Sequence, residues 1–412
     1  MHKLTKYKFN KLYEMSSGIS SKPEQAGHGS PFASFSTVFN NYFLPDELPD
    51  LMDVSEQEQE TYSIKNGDIL LTRTSETIDE LAMSCVALKD FPKATFSGFT
   101  KRIRPTQTDV TYPKYMGFYL RSNFFRRTMT NNAVMTLRAS LNEDIFSYLD
   151  LLLPDFDTQK KIGDFLYLLD DKIKINNRIN TELEAMAKTI YNYWFIQFDF
   201  PNEEGKPYKA SGGEMEYNEK LKMEIPVGWT DGKLSEVANI TMGQSPDGDS
   251  YNEEGEGMVF FQGSTDFNFR FPLVRMFTTA PSRIAQEEDV LLSVRAPVGT
   301  LNVANEKCCI GRGLAALNSK NEANSFVLYL MFYFKAMFDV QDRTGTTFGS
   351  IDKDTLHDLK FAKPPVELQK QFQSIVGKYD KMILTRSRET QELITLRDFL
   401  LPLLMNGQVK LV

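Results

Sequence analysis

DTQKKIGDFLYLLDDKI (157–173) and ELQKQFQSIVGKYDKMI (367–383) are the same segment written twice, 210 residues apart from Gln159 to Gln369. The apolar positions of the first run Ile162, Leu166, Leu169, Ile173, then Leu183, Ala187, Ile190 and Trp194. Gaps alternating between four and three mark the seam of a coiled coil. In the second copy the seam reads Phe372, Val376, Tyr379, Ile383, Arg386, Thr390, Leu393, Arg397, Leu400 and Leu404. The missing apolar positions of the first helix are Asn176 and Asn180, and Arg386 and Thr390 stand at the matching places of the second. Such a polar layer lowers stability but fixes register and orientation. Two equivalent helices in one chain most simply pair with each other, antiparallel. A seam of five heptads is roughly 50 Å long, about one and a half turns of B-DNA, which is a spacer geometry.

The repeat extends upstream of the helices. Ser140–Leu141 falls on Ser350–Ile351 and Leu149 on Leu359. With a drifting offset, Asp68-Ile-Leu-Leu falls on Asp289-Val-Leu-Leu and Lys11–Leu12 on Lys233–Leu234. Drift of this kind is what loop insertions in a diverged globular unit produce. Strand-like runs at 68–72, 259–262 and 290–294, with a helix over 325–338, give each copy a mixed α/β character. The expected plan is a pseudo-twofold internal repeat: globular 1–153, helix 154–197, linker 198–226, globular 227–363, helix 364–412. The linker is read from its glycine, proline and charge content.

Composition removes several function classes. Cys85, Cys308 and Cys309 are too few for a disulfide framework, and with His2, His28 and His357 they assemble no zinc spacing. No run of about 18 apolar residues suits a membrane span, and the basic opening MHKLTKYKFNKLYE has no apolar stretch after it, so a cytoplasmic setting is expected. Pro154–Asp155 with Asp170-x-Lys172 imitates a nuclease spacing, but Asp170 and Lys172 flank the seam and read as helix-pairing charges. Lys363-Pro364-Pro365-Val366 lacks the amide and the ring of an adenine-methylating tetrapeptide, and Gly255-Glu256-Gly257 precedes a strand rather than following one. No catalytic constellation is visible.

Charge points two ways. The total is -8, from 47 basic and 55 acidic residues, which is unlike a small nucleic-acid binder. Residues 46–80 carry 11 acidic and two basic side chains, whereas 89–138 carry ten basic and two acidic ones. The basic tract, with Lys101, Arg102, Arg104, Arg121, Arg126, Arg127 and Arg138, is interleaved with Phe96, Phe99, Tyr112, Tyr115, Phe124 and Phe125. That composition suits phosphate and base-edge contacts, and equally a solvated face with a local acidic counterpart. In the second copy arginines stand among glycines and hydroxyls: Arg295 near Gly299, Arg312 between Gly311 and Gly313, and Arg343 before Thr344-Gly345-Thr346. Glycine lets a backbone approach a ligand and arginine forks onto phosphate or guanine.

Over nearly its whole length the chain resembles the specificity subunits of type I restriction–modification systems. The resemblance is carried by Val227-Gly228-Trp229, Gly243-Gln244-Ser245-Pro246, Phe261-Gln262-Gly263, Leu292 to Gly299, Gly311-Arg312-Gly313, Gly345 to Ile351, and Pro364–Pro365 with Gln369. Tyr193-Trp194-Phe195, Asp199, Phe200 and Gly205-Lys206-Pro207-Tyr208 belong to the same pattern. The first half keeps Pro154 and Gln159 but has no Gly-Gln-Ser-Pro equivalent. The resemblance implies two target recognition domains, each reading one half of a bipartite asymmetric DNA site, with the helices as ruler. It implies no catalysis and no cofactor in this chain. Two modification subunits would use S-adenosylmethionine, and restriction subunits would use ATP and magnesium. The outer faces of 160–196 and 370–404 would dock the modification subunits. The candidate DNA contacts are then Arg73, Lys101, Arg102, Arg104, Arg121, Arg126, Arg127, Arg138 and Ser140, with Gln244, Ser245, Gln262, Arg295, Arg312, Arg343, Thr346 and Ser350 in the second copy. The competing class is a coiled-coil scaffold without DNA specificity.

Overall fold

The computed structural model describes residues 3–411 except 21, 76–79, 133–138, 141–142 and 344–349, with backbone alone at 74–75, 131–132, 139–140, 143–145 and 340–343. The chain divides into two compact units, Met1–Lys174 with Thr390–Val412, and Ile175–Glu389. The first long helix, Phe156–Tyr191, and the second, Val366–Met405, therefore each contribute to both units.

In the first unit Ile69–Thr72 is a strand buried along its whole length, as an uninterrupted apolar run requires. It lies between Thr100–Pro105 and Ser84–Val86, and Tyr13–Ser17 completes an antiparallel sheet of four strands. A smaller sheet joins Asp50–Met52, Ala26–Ala33 and Thr95–Phe96, the last pair being parallel. Thr5–Lys8 pairs with Asp150–Leu153 and closes the domain where the first long helix leaves it.

The second unit repeats this plan, with a four-stranded antiparallel sheet, a parallel pair and a closing ribbon, and its smaller sheet grows to five strands. Val290–Ser293 lies between Leu314–Ser319 and Leu301–Val303, with Ala238–Met242 at the edge. Met258–Phe261 and Cys308–Ile310 form the parallel pair, and Thr230–Lys233 with Lys360–Lys363 is the closing ribbon. The turn before each central strand is held alike. Asp68 accepts from the Lys65 amide (2.7 Å) and the Arg104 guanidinium (2.7 Å). Asp289 accepts from the Gln286 amide (2.8 Å) and Asn318 Nδ2 (3.1 Å). Burial pushes the Asp289 carboxyl above the usual carboxylate range.

The glutamine that marks the sequence repeat is a buried clamp at the foot of each long helix. Gln159 Nε2 donates to Pro154 O and Val110 O, both at 2.9 Å, while its Oε1 accepts from the Tyr112 amide (3.0 Å). Gln369 Nε2 donates to Pro364 O (3.1 Å), and its Oε1 accepts from Asn321 Nδ2 (3.4 Å).

Within the second unit the helices run antiparallel: Asn176 Nδ2 bonds Glu389 (2.8 Å) and Asn180 Nδ2 bonds Ser387 (3.2 Å), so rising numbers on one meet falling numbers on the other. The polar layer exists, but its partners are Glu389 and Ser387 rather than Arg386 and Thr390. In the first unit Asp170 pairs with Lys174 (2.9 Å) and Arg397 (3.5 Å), a helix-pairing role that leaves nothing of the nuclease spacing. Asp155 caps the helix start by accepting from the Thr158 amide (2.9 Å).

The seam is also domain core. Ile162 and Leu166 share a cluster with Tyr115, Phe118, Leu151, Leu401, Leu404 and Met405. Ala187, Tyr191, Trp194, Phe372 and Val376 share one with Leu292, Phe326 and Leu330. Leu169, Ile173, Leu183 and Ile383 are buried, while Ile190, Tyr379, Leu393 and Leu400 are half-buried. Residues 198–226 are not a loose linker. Phe198 and Ile225 enter the core, Phe200 stacks on Tyr208 (4.6 Å) and Trp229 (5.5 Å), and Met215–Asn218 forms a hairpin with Met223–Pro226. The aromatic residues among the glycines supply burial that the loop-forming composition conceals.

Arg270 is the most deeply buried cation of the second unit. It lies against Glu184 of the first helix (3.3 Å), Asp380 of the second, and the Tyr329 hydroxyl (2.8 Å). Among the described residues, no helix is long and apolar enough to cross a membrane, and no cluster of His, Cys, Asp or Glu suits a metal ion. Replacing Arg270 by Met leaves the two largely buried carboxylates without their shared cation, and the second unit should lose about 3 to 5 kcal/mol in denaturant unfolding. The triple variant R270M/E184L/D380L should recover most of it. A loss below about 1 kcal/mol for the single variant would show that water already screens the cluster.

Candidate nucleic-acid interface

One edge of the second unit gathers most of the second-copy candidates. Gly243 follows the edge strand and donates to Leu314 O (2.9 Å), and Gln244 donates to Ile310 O (3.0 Å). Ser245 Oγ accepts from the Arg312 amide (3.3 Å). Gly311 and Gly313 donate to Phe261 O (2.8 Å) and Gln262 O (3.3 Å), which places Arg312 beside Gln262. Val294 donates to Gly313 O (2.9 Å), and the next residue, Arg295, forms a backbone bridge with Ser350. Five chain segments thus converge through main-chain bonds, leaving the side chains free. Gln244, Gln262, Arg295, Arg312 and Ser350 are exposed and Ser245 is half-buried. Among the described residues, neither Arg295 nor Arg312 has a side-chain partner. Unpaired guanidinium groups and amides on a rigid edge are the donors that read phosphate oxygens and base edges.

Sequence reasoning missed one member of this edge. Ser282 Oγ donates to Gln244 O (2.5 Å) and Ile310 donates to Arg283 O (2.9 Å), which brings an exposed, unpaired Arg283 to the same edge. No motif marks it, because the strand pairing of Ile284–Ala285 with Cys308–Cys309 brings it there.

The first unit has the same edge, so the missing Gly-Gln-Ser-Pro has a counterpart in Gly18-Ile19-Ser20. Ile19 donates to Phe96 O (2.9 Å) as Gln244 does to Ile310 O, and Arg73 donates to Phe99 O (2.8 Å) as Val294 does to Gly313 O. Thr74 pairs with Ser140 where Arg295 pairs with Ser350. The glycine has one cause in both copies: a Cβ would stand 2.2 Å from Ser97 O at Gly18 and 2.2 Å from Gly311 O at Gly243. Glycine before x-Ser at the end of the second strand was the available signal.

The basic tract of the first unit is largely not on this edge. Arg121 is held by four backbone carbonyls, of Ser84 (2.6 Å), Val38 (2.9 Å), Phe39 (2.8 Å) and Asn41 (2.8 Å), and burial pulls its guanidinium below the usual range. Arg102 is buried against Ser63 O and the Phe96 ring, and Arg104 is bidentate to Asp68. These three arginines brace the domain, so the composition reading of them is corrected. Lys101 bonds Ser17 Oγ (2.7 Å) close to the edge, Arg126 is half-buried and engaged, and Arg73 and Arg127 are exposed. Arg138 and Thr346 lie outside the described residues, and only the backbone of Ser140 and Arg343 is described.

The seam residues of the two helices face inward. Ile162, Leu166, Leu169, Ile173, Leu183, Trp194, Phe372, Val376 and Ile383 are buried, so no partner reaches them. The exposed apolar side chains of the helices include Leu168, Leu396 and Phe399 in the first unit, and Ile175, Met186, Tyr193, Ile196, Val366, Ile375 and Met382 in the second. The thiols are inert, burial having pushed Cys85 and Cys308 up to about 12. A cleft of about 380 Å³ in the first unit, lined by Asn66, Thr108, Thr111, Tyr112, Lys114 and Phe156, has its lysine paired with Asp164 (2.9 Å).

Residues 14–185 and 226–395 each match the family described as the type I restriction modification DNA specificity domain. The chain is 29% identical to the putative type I restriction enzyme MjaX specificity subunit of Methanocaldococcus jannaschii, over 95% of this chain and 90% of that one. It is 23% identical to the type I restriction enzyme HindI specificity subunit of Haemophilus influenzae, over 92% and 94%. The crystal structure of the type I restriction–modification S subunit from M. genitalium shares the fold, with a TM-score of 0.60 at 14% identity, covering 98% of this chain and 96% of that one. With the domain present twice and filling most of its length, the chain belongs to the type I restriction–modification specificity family.

Proposed function

We propose that this chain is the non-catalytic DNA-reading subunit of a type I restriction–modification complex, each globular unit reading one half of a bipartite, asymmetric site. The observation that carries the reading is the edge built twice from the same main-chain bonds and furnished with different side chains. Equivalent scaffolds with unequal reading groups are what an asymmetric bipartite site demands. The second reader uses Arg295, Arg312, Arg283, Gln244 and Gln262; the first uses Arg73, Lys101 and the hydroxyls of its edge. Two modification subunits dock on the exposed helix faces, bring S-adenosylmethionine to the adenines, and wrap the duplex. Restriction subunits join through them with ATP and magnesium.

The charge of -8 belongs in this picture. A subunit whose partners neutralise most phosphates needs only local readers, since sequence-independent affinity scales with the number of phosphates contacted. In mobility-shift titrations the isolated chain should bind DNA weakly, and both the affinity and its salt dependence should rise when the modification subunit is added. Tight, salt-insensitive binding by the chain alone would contradict this.

Sequencing adenine methylation in a host genome, with and without this gene, should reveal one bipartite motif that depends on it. Against that motif, Arg312→Ala and Arg295→Ala should relax discrimination in the second half-site only, by about 1 to 3 kcal/mol for a lost bidentate contact. Equal loss in both half-sites would signify damage to the fold.

The helices also make a spacing prediction. Inserting seven residues into each helix, at 174/175 and 389/390, adds about 10 Å of helix, or about three base pairs at 3.4 Å per step. The methylated motif should gain about three unspecified bases between unchanged half-sites; an unchanged spacing would remove the ruler role.

A further inference from the structure

The first unit's edge carries an aromatic side chain where the matching position of the second has glycine. Phe99 stands at the position of Gly313, since the carbonyl of each accepts from the residue that follows the central strand: Phe99 O from the Arg73 amide (2.8 Å), Gly313 O from the Val294 amide (2.9 Å). Its ring is 68% exposed, although the residues on either side are tightly held. Thr100 N and Oγ1 both bond Ser97 O (2.9 and 2.7 Å), Gly98 N bonds Ile19 O (2.7 Å), and Phe99 N bonds Ser97 Oγ (3.2 Å). A phenylalanine this exposed contributes little to the core, and a turn this closed presents the ring without further loss of backbone entropy.

We propose that Phe99 is a specificity-determining residue of the first half-site, reading a thymine through its C5 methyl group. The inference rests on the DNA-reading function argued above. Arg73, across the strand pair from Phe99, and Lys101, two residues further along the chain, are cations suited to phosphates on the same edge as the ring. DNA offers an apolar ring two targets there. The base faces are reached only by unstacking a step, whereas the thymine methyl already projects into the major groove. The methyl is the contact that requires no deformation of the duplex. At the matching positions the second edge has Gly313 and Arg312 in place of Phe99 and Gly98, and its described residues offer guanidinium and amide groups.

The test uses the complex assembled with its modification subunits and duplexes carrying its methylated motif, with every base pair of the first half-site varied in competition binding. Phe99→Ala should lose preference for T·A at one position, about three- to tenfold as for one buried methyl group, with other positions and the second half-site unchanged. Deoxyuridine in place of that thymine should weaken the wild-type complex by the same factor and the variant not at all, and Phe99→Leu should restore part of the preference. Because the ring is exposed, the melting temperature of Phe99→Ala should equal that of the wild type. Wild-type discrimination by Phe99→Ala at every position, or a first half-site indifferent to thymine methyl groups, overturns the inference. If Phe99→Ala is neutral while Arg312→Ala still relaxes the second half-site, the recognition reading stands without Phe99; if both are neutral, the recognition reading itself falls.

Discussion

Each long helix carries one apolar stripe, and that stripe is shared between the other helix and a globular core. In the first unit Ile162 and Leu166 pack with Leu404 and Met405 and also with Tyr115 and Leu151. In the second, Tyr191 and Trp194 pack with Phe372 and also with Phe326. Burying each such side chain contributes about 1.5 to 3 kcal/mol, and most of that is lost if a helix separates from its domain. A helix therefore cannot turn or slide on its domain without opening the core. The buried glutamine clamps add a geometric stop, since Gln159 and Gln369 each leave an unpaired amide if the helix start moves.

Apolar stripes alone tolerate a shift by one turn. The polar groups within the seam do not. Asn176 and Asn180 find Glu389 and Ser387 in one antiparallel register only. Arg270 needs a carboxylate from each helix at once, Glu184 and Asp380, while Lys188 holds Glu184 from the adjacent turn (2.5 Å). Desolvating these groups lowers stability relative to an all-leucine seam, and in exchange the alternatives become costlier still. A spacer that sets a distance needs one length, so stability is given up for register.

What could be read from the sequence follows from how local each cause is. The long helices were legible because heptad spacing is a property of neighbours, and the repeat because Pro154 with Gln159 and Pro364 with Gln369 serve one local clamp. The second edge was legible through its glycines, whose spacing records close backbone approach. Arg121 was misread because its partners, the carbonyls of Val38, Phe39, Asn41 and Ser84, lie far away in the chain, and nothing in the sequence says that they converge. Arg283 was missed for the same reason, since strand pairing delivers it. Residues 198–226 looked like a linker because loop-forming residues outnumber the few aromatics that anchor them. Composition reports how many groups of a kind exist, and only the fold decides which way they point.

The two edges separate what must be kept from what is free to change. Their positions are set by main-chain bonds and by Gly18 and Gly243, so the side chains of Arg73, Phe99, Gln244, Gln262, Arg295 and Arg312 carry little of the core. Under the proposed function, exchanging such a side chain would alter what the edge recognises and leave the sheet beneath it intact. Arg102, Arg104 and Arg121 stand under the opposite constraint: each satisfies buried acceptors, and its loss would leave carbonyls or a carboxylate unpaired. Positive charge in the first domain is thus divided between braces that cannot vary and readers that can. The two copies differ on the edge, with an apolar ring and cations in the first and arginines among glycines in the second. The asymmetry proposed for the recognised site would then follow from the side chains of the two edges, on scaffolds held by matching main-chain bonds.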